Sequence, residues 1–299
     1  MTIVFKCIAC FLVAVTCSFG PRGFVQACDS ASGSCQQTVP ITCCRQGAWF
    51  VANSSNFQVC SLANAEEAEK VARRSEVLRA EMSEAWQATD AACQISWSPR
   101  CQIILHSTAH SYLCAVGKQL ATTRGSSLVT PAHGKITNRR IDLRSDANDV
   151  LNAALPHELC HVVLADRFRS GPPPLWFEEG VALLADPAAK QNLHERDLRL
   201  AMKRSRAFRL QSLLVMKEYP AAENWDVFYG QSASLVRLLL QEGSSAQLIR
   251  FVENLELLGP NAAVREVYGF SGCAELEQFW RSAVSSSDKP TMRHLAEKP

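Results

Sequence analysis

Apolar residues recur at Ala68, Val71, Ala72, Leu78, Met82 and Trp86, while glutamates and arginines fill the positions between them from Ala63 to Ala88. This is the spacing of an amphipathic helix and predicts one along the whole stretch. Shorter runs at Phe57–Cys60, Cys101–Leu105 and Arg139–Leu143 predict strands, and His106–Val116 predicts a short helix. A longer helix is expected over Asn148–Ala165, after which Gly171-Pro172-Pro173-Pro174 stops the chain ahead of another helix over Trp176–Ala185. Beyond Pro187 the helical period persists through 192–206, 210–218, 226–241, 245–258, 261–268 and 272–284. Gly243, Gly259 and Gly269 stand just after helix ends, where a left-handed cap is wanted. The pattern predicts an α+β fold, with a mixed subdomain over 56–187 and a mainly helical one over 188–284. Residues 28–55, rich in Cys, Ser, Gln and Gly without sustained periodicity, read as an irregular lead-in, and 285–299 as a flexible tail.

Composition narrows the class. The chain is 47% hydrophobic and 20% charged, enough for a core and unlike a disordered or fibrous protein. A net charge of +2 is too small for phosphate-backbone electrostatics, so nucleic acid is not an expected partner. Lys6 precedes an apolar stretch, Cys7–Phe19, followed by small and turn-forming residues. That stretch falls short of the about 20 residues that cross a bilayer and reads as part of a signal peptide over 1–27, with cleavage before Cys28 or after Gly20. No later run is apolar enough for an integral span. A cysteine after the cleavage site also admits a lipid anchor at Cys28, although Gln26 stands where a small residue is usual. The expected location is secreted or extracytoplasmic, in a periplasm or at a cell surface. Of thirteen cysteines, Cys7, Cys10 and Cys17 leave with such a leader. The remainder include no paired C-x-x-C spacing, which favours structural disulfides over a thiolate zinc cluster. Asn53-Ser54-Ser55 matches a glycosylation sequon, meaningful only in a glycosylating host.

The chemistry concentrates at His157-Glu158-Leu159-Cys160-His161. Helical residues four apart lie about 40° apart around the axis and about 6 Å along it, so the two imidazoles can converge on one divalent ion. Glu158 flanks the same face and can accept a proton from a water at the open coordination position. Zinc needs a third protein ligand, and Glu179, preferred over Glu178, lies on a helix that the Gly171–Pro174 break allows to fold back. Pro156 lacks an N–H and disfavours helical geometry at Leu155, so the active helix begins or kinks there.

With Trp176-Phe177-Glu178-Glu179-Gly180-Val181-Ala182 following the HExxH sequence, the chain resembles the gluzincin metallopeptidases, in particular the peptidase MA-like domains of the thermolysin and zinc aminopeptidase group. The resemblance extends from about Asn56 to Val284 and is least specific at its outer parts. It implies zinc held by His157, His161 and Glu179, with Glu158 as general base. It also implies a small mixed sheet packed on the active-site helix, and Arg139–Leu143 as the edge on which an extended peptide substrate lies. Tyr229 is the residue that the resemblance offers for the oxyanion, against a second reading as a core aromatic on an amphipathic helix. The acid usual four residues after the glutamate ligand is absent, since Leu183 stands there. Asp186 returns to the same face and is either the acceptor that orients a histidine ligand or a cap before Pro187.

The expected function is hydrolysis of peptide bonds in a peptide or protein substrate by an exported zinc metallopeptidase. The alternative is a noncatalytic binding or scaffold domain that retains the fold; an intact Glu158 argues against it. A serine hydrolase finds no support, because Gly230-Gln231-Ser232-Ala233-Ser234 breaks the G-x-S-x-G pattern at its last position. His106 and His110 read as surface or capping groups, Cys160 as a small apolar filler, and the arginines from Arg196 to Arg209 as a solvated helix face.

Overall fold

The structure, a computed structural model, describes residues 5–6, 39–86 and 95–286. Apart from the backbone of 5–6, the expected leader, the Cys28 anchor and nearly all of the tail lie outside the described residues. Cys28, Cys35 and Cys93 lie outside them as well. The described cysteines, Cys43, Cys44, Cys60, Cys101, Cys114, Cys160 and Cys273, are free thiols.

The fold is α+β. Its sheet contains β1 (Phe5–Lys6), β2 (Thr42–Gln46), β3 (Trp49–Asn53), β4 (Phe57–Ser61), β5 (Cys101–His106), β6 (Gly125–Ala132) and β7 (Lys135–Arg144). The spatial order is β1-β6-β7-β5-β4-β3-β2. β4, β5 and β7 run parallel, with Val59, Ile103 and Ile141 in register, whereas β2–β3–β4 and β6–β7 pair antiparallel. Residues 42–53, expected to be irregular, form a hairpin closed by Gly47 at φ +60°. β2 is exposed at every position, so it carries no alternation of buried and exposed side chains to reveal it. The expected edge strand is also corrected: Arg139–Leu143 lies inside β7, flanked by β5 and β6. β6, the strand outside it, breaks register at Thr130/Pro131, a bulge that blurs its period.

The helices are α1 (Ala65–Trp86), α2 (Ala109–Val116), α3 (Leu155–Arg167), α4 (Leu175–Leu184), α5 (Ala188–Lys203), α6 (Leu210–Leu214), α7 (Trp225–Gln241), α8 (Ser245–Leu258), α9 (Pro260–Tyr268) and α10 (Cys273–Ser285). α2 starts later than expected because Thr108 caps it, its side chain accepting from Ser111 N. His106 therefore closes β5, where it is buried with Nε2 2.8 Å from Asp142 Oδ1. This corrects its reading as a surface or capping group. Pro156 falls in the first turn of α3, and Val150–Ala154 ahead of it winds as a π-helical turn. The α-helical ladder begins where the missing N–H of proline costs nothing.

α1 packs on β3, β4 and α3, and α3 in turn packs on β6, β7 and α4. Twelve of the thirteen residues of α3 are buried, so its motif face is held between sheet and helices. α4 packs on α7, and Trp176 of α4 stacks against Phe251 of α8. A single apolar cluster thus runs from Phe57 and Ile103 through Leu159 and Phe177 to Trp280. Each fully buried large side chain in it contributes about 1.5–3 kcal/mol. Among the described residues no helix is long and apolar enough to cross a membrane.

Candidate metal centre

α3 and α4 meet beside β6 and bring the expected ligands together. One ligand atom from each of His157, His161 and Glu179 lies within 4.8 Å of the others, and His157 Nε2 is 3.9 Å from Glu179 Oε2. All three side chains are buried. The imidazoles are edge to face, with ring centroids 5.1 Å apart, as expected for one face of a helix at four-residue spacing.

Each imidazole has a carboxylate behind it. His161 Nδ1 is 3.0 Å from Glu178 Oε1, and His157 Nδ1 is 3.4 Å from Asp186 Oδ1. Lys190 Nζ lies 2.8 Å from Asp186 Oδ2. Carboxylates at Nδ1 fix tautomer and ring orientation, leaving Nε2 as the donor to a metal. Both ring nitrogens of His157 are buried without a hydrogen-bond partner, an arrangement that costs free energy unless a ligand meets the ring. Two imidazole nitrogens and a carboxylate oxygen are a donor set that suits zinc. The residues present therefore fit the ion.

No protein-family model and no curated protein matches the chain. The reading of the site rests on its own geometry.

Glu158 is buried beside the ligand cluster and accepts a hydrogen bond from Ser127 Oγ of β6 at 2.8 Å. Burial raises its pKa; the two histidines and Ser127 pull it down, Glu179 adds to the rise, and the net shift is upward. Burial lowers the affinity of His161 for a proton, but the hydrogen bond to Glu178 and the charges of Glu179, Glu178 and Glu158 outweigh it and raise the pKa to about 9. For Asp186, burial raises and the His157 and Lys190 charges lower, with the lowering prevailing. The pocket is thus dominated by negative charge.

Two glycines make the fit possible. A Cβ at Gly180 would stand 2.6 Å from Ser232 O and from Val236 Cγ2, so α4 crosses α7 at backbone contact next to Glu179. A Cβ at Gly125 would stand 2.7 Å from Glu158 Cγ, in the space the carboxylate stem needs.

Tyr219, from the segment ahead of α7, donates its hydroxyl to Glu179 Oε1. It went unnoticed in the sequence because it belongs to no periodic element. Tyr229 lies buried in α7, its ring against His194 and Phe228. Glu178 was weighed as a rival ligand, yet it serves as the partner of His161. The adjacent acids at 178 and 179 were the available signal. Asp186 stands behind His157, its Oδ1 3.4 Å from Nδ1, without a hydrogen bond joining the two atoms. Cys160 is buried, and burial followed by the nearby acids raises its thiol pKa far above neutrality, as suits a filler and not a nucleophile.

Proposed function

We propose that the chain is a zinc-dependent metallopeptidase of gluzincin type, exported from the cytoplasm, acting on peptide bonds. The observation that carries the reading is the buried His157, His161 and Glu179 cluster with a carboxylate behind each imidazole and Glu158 beside it. A purely structural zinc site closes its coordination with a fourth protein ligand, and among the described residues no fourth member joins this cluster.

His157, His161 and Glu179 would hold zinc, whose Lewis acidity polarises a carbonyl and lowers the pKa of a coordinated water to about 7. Glu158 takes the proton of the attacking water and delivers it to the departing amine; Ser127 holds its carboxylate in place for both transfers. Burial raises the proton affinity of Glu158, which favours its uptake of that proton. Tyr219, whose hydroxyl reaches Glu179, is one donor for the developing oxyanion, with Tyr229 of α7 as the alternative. The substrate would take the outer side of β6 that the Phe5–Lys6 backbone occupies at Val129 and Leu128, once the expected leader has left it, pairing there as an added strand.

The test is metal analysis with hydrolysis of a diverse peptide library by the parent, Glu158→Gln and Glu179→Ala. Glu158→Gln is expected to retain zinc and lose turnover, and Glu179→Ala to lose zinc. Equal turnover in the parent and Glu158→Gln removes the proposed base. A zinc-loaded parent that cleaves no peptide in the library supports the scaffold reading instead.

A further inference from the structure

A second constellation sits at the far end of α3. Asp166 is nine residues beyond His157, about 14 Å along the helix, and lines a cavity of about 870 Å³. Arg79, Lys135, Arg139, Arg167 and Arg169 line the same cavity, with Asp166 as its only lining carboxylate among the described residues. The guanidinium groups of Arg79 and Arg139 stand 4.8 and 4.9 Å from the centroid of the Trp97 ring, which fixes their planes.

The carboxylate is already engaged. Asp166 Oδ1 accepts from Arg139 at 2.6 Å and from Arg169 at 3.3 Å. Arg139 is only 3% exposed, and its remaining terminal nitrogen donates to Pro99 O at 2.8 Å. Its Nε has no acceptor, and neither does the buried Nε of Arg167. Arg167 pairs through Nη2 with Glu253, but two unmet Nε donors, its own and that of Arg139, border one cavity whose lining carries more positive than negative charge. Leaving such donors unmet is costly, and an oxyanion meets them with charge-assisted bonds.

We infer that this cavity is a binding site for a small phosphate-type oxyanion, held by Arg139, Arg167 and Arg169. The inference does not depend on the metal centre. Its ligand is either free inorganic phosphate or the phosphoryl group of a small organic monoester.

The experiment is calorimetric titration of the full chain with inorganic phosphate and with phenyl phosphate, against sodium chloride at matched ionic strength. Saturable binding of either phosphate beyond the chloride control is expected. Arg139→Lys, which keeps the charge but loses the fork, should weaken binding at least tenfold, and Arg169→Gln severalfold. Arg169 has an exposed side chain, so the second variant decides the matter if the first fails to fold. Tighter binding of phenyl phosphate assigns the site to an organic monoester; equal or weaker binding assigns it to free phosphate. Absence of saturable binding by both compounds, or affinities in the folded variants within twofold of the parent, overturns the inference.

Discussion

Replacing Glu178 by glutamine is the sharpest test of how the two imidazoles are held. Glu178 Oε1 lies 3.0 Å from His161 Nδ1, and the side chain is 12% exposed, so the contact is shielded from water. Glutamine keeps the length of the side chain and can still accept a hydrogen bond, but it removes the negative charge that strengthens His161 as a donor to a cation. Loss of such a partner typically weakens metal affinity 10- to 100-fold, equivalent to about 1.4–2.7 kcal/mol. Asp186→Asn is a less clean experiment, because Asp186 also pairs with Lys190 at 2.8 Å and its loss disturbs both groups. Competition for zinc against a chromogenic chelator measures the affinity, and thermal unfolding of the metal-free protein reports any loss of fold. If Glu178→Gln binds zinc within twofold of the parent, Glu178 is a bystander and the paired-carboxylate account of the site fails.

Gly180→Ala should destabilise the protein by about 1–3 kcal/mol, because its Cβ meets the Ser232 carbonyl oxygen at 2.6 Å; an unfolding curve superimposable on the parent's would show that α4 and α7 can separate freely. Gly125→Ala places its Cβ 2.7 Å from Glu158 Cγ and is expected to lower kcat by at least tenfold while zinc content stays unchanged, checked by steady-state kinetics alongside metal analysis. Tyr219→Phe is expected to reduce kcat by about 10²-fold or more with little change in KM, and the same loss in Tyr229→Phe with Tyr219→Phe unaffected would move the oxyanion role to α7.

The parts of the fold legible in the sequence are helices with one buried and one wet face and short strands that are mostly apolar. α1 and α8 emerge near their expected bounds because burial follows their period, and the strands at Phe57 and Cys101 emerge as short, mostly buried apolar runs. β2 has no buried face, and β6 starts with Gly125-Ser126-Ser127 and ends across a proline bulge, so neither produces alternation. That loss mattered for the site, since β6 supplies both Gly125 and Ser127 to Glu158. The His157, His161 and Glu179 cluster was legible because two of its members share one helix, where four-residue spacing is a local property. Glu179 depended on two helices folding back together. Tyr219 depended on a loop approaching from 40 residues away in the chain, which no local pattern encodes.

The carboxylates of this centre also bear on why the reading is a functional one. Glu158, Glu178, Glu179 and Asp186 are all buried, and removing carboxylates from water costs several kcal/mol each unless charge compensates them. Apolar residues of similar volume would fill the same space between α3 and α4 more favourably if packing were the only requirement. Lys190 compensates Asp186, and the elevated proton affinity of His161 is the response of a neutral base to the acids that remain. A divalent cation between His157, His161 and Glu179 would supply that compensation directly, with Asp186 and Glu178 behind the two imidazoles and Glu158, bonded to Ser127, beside them.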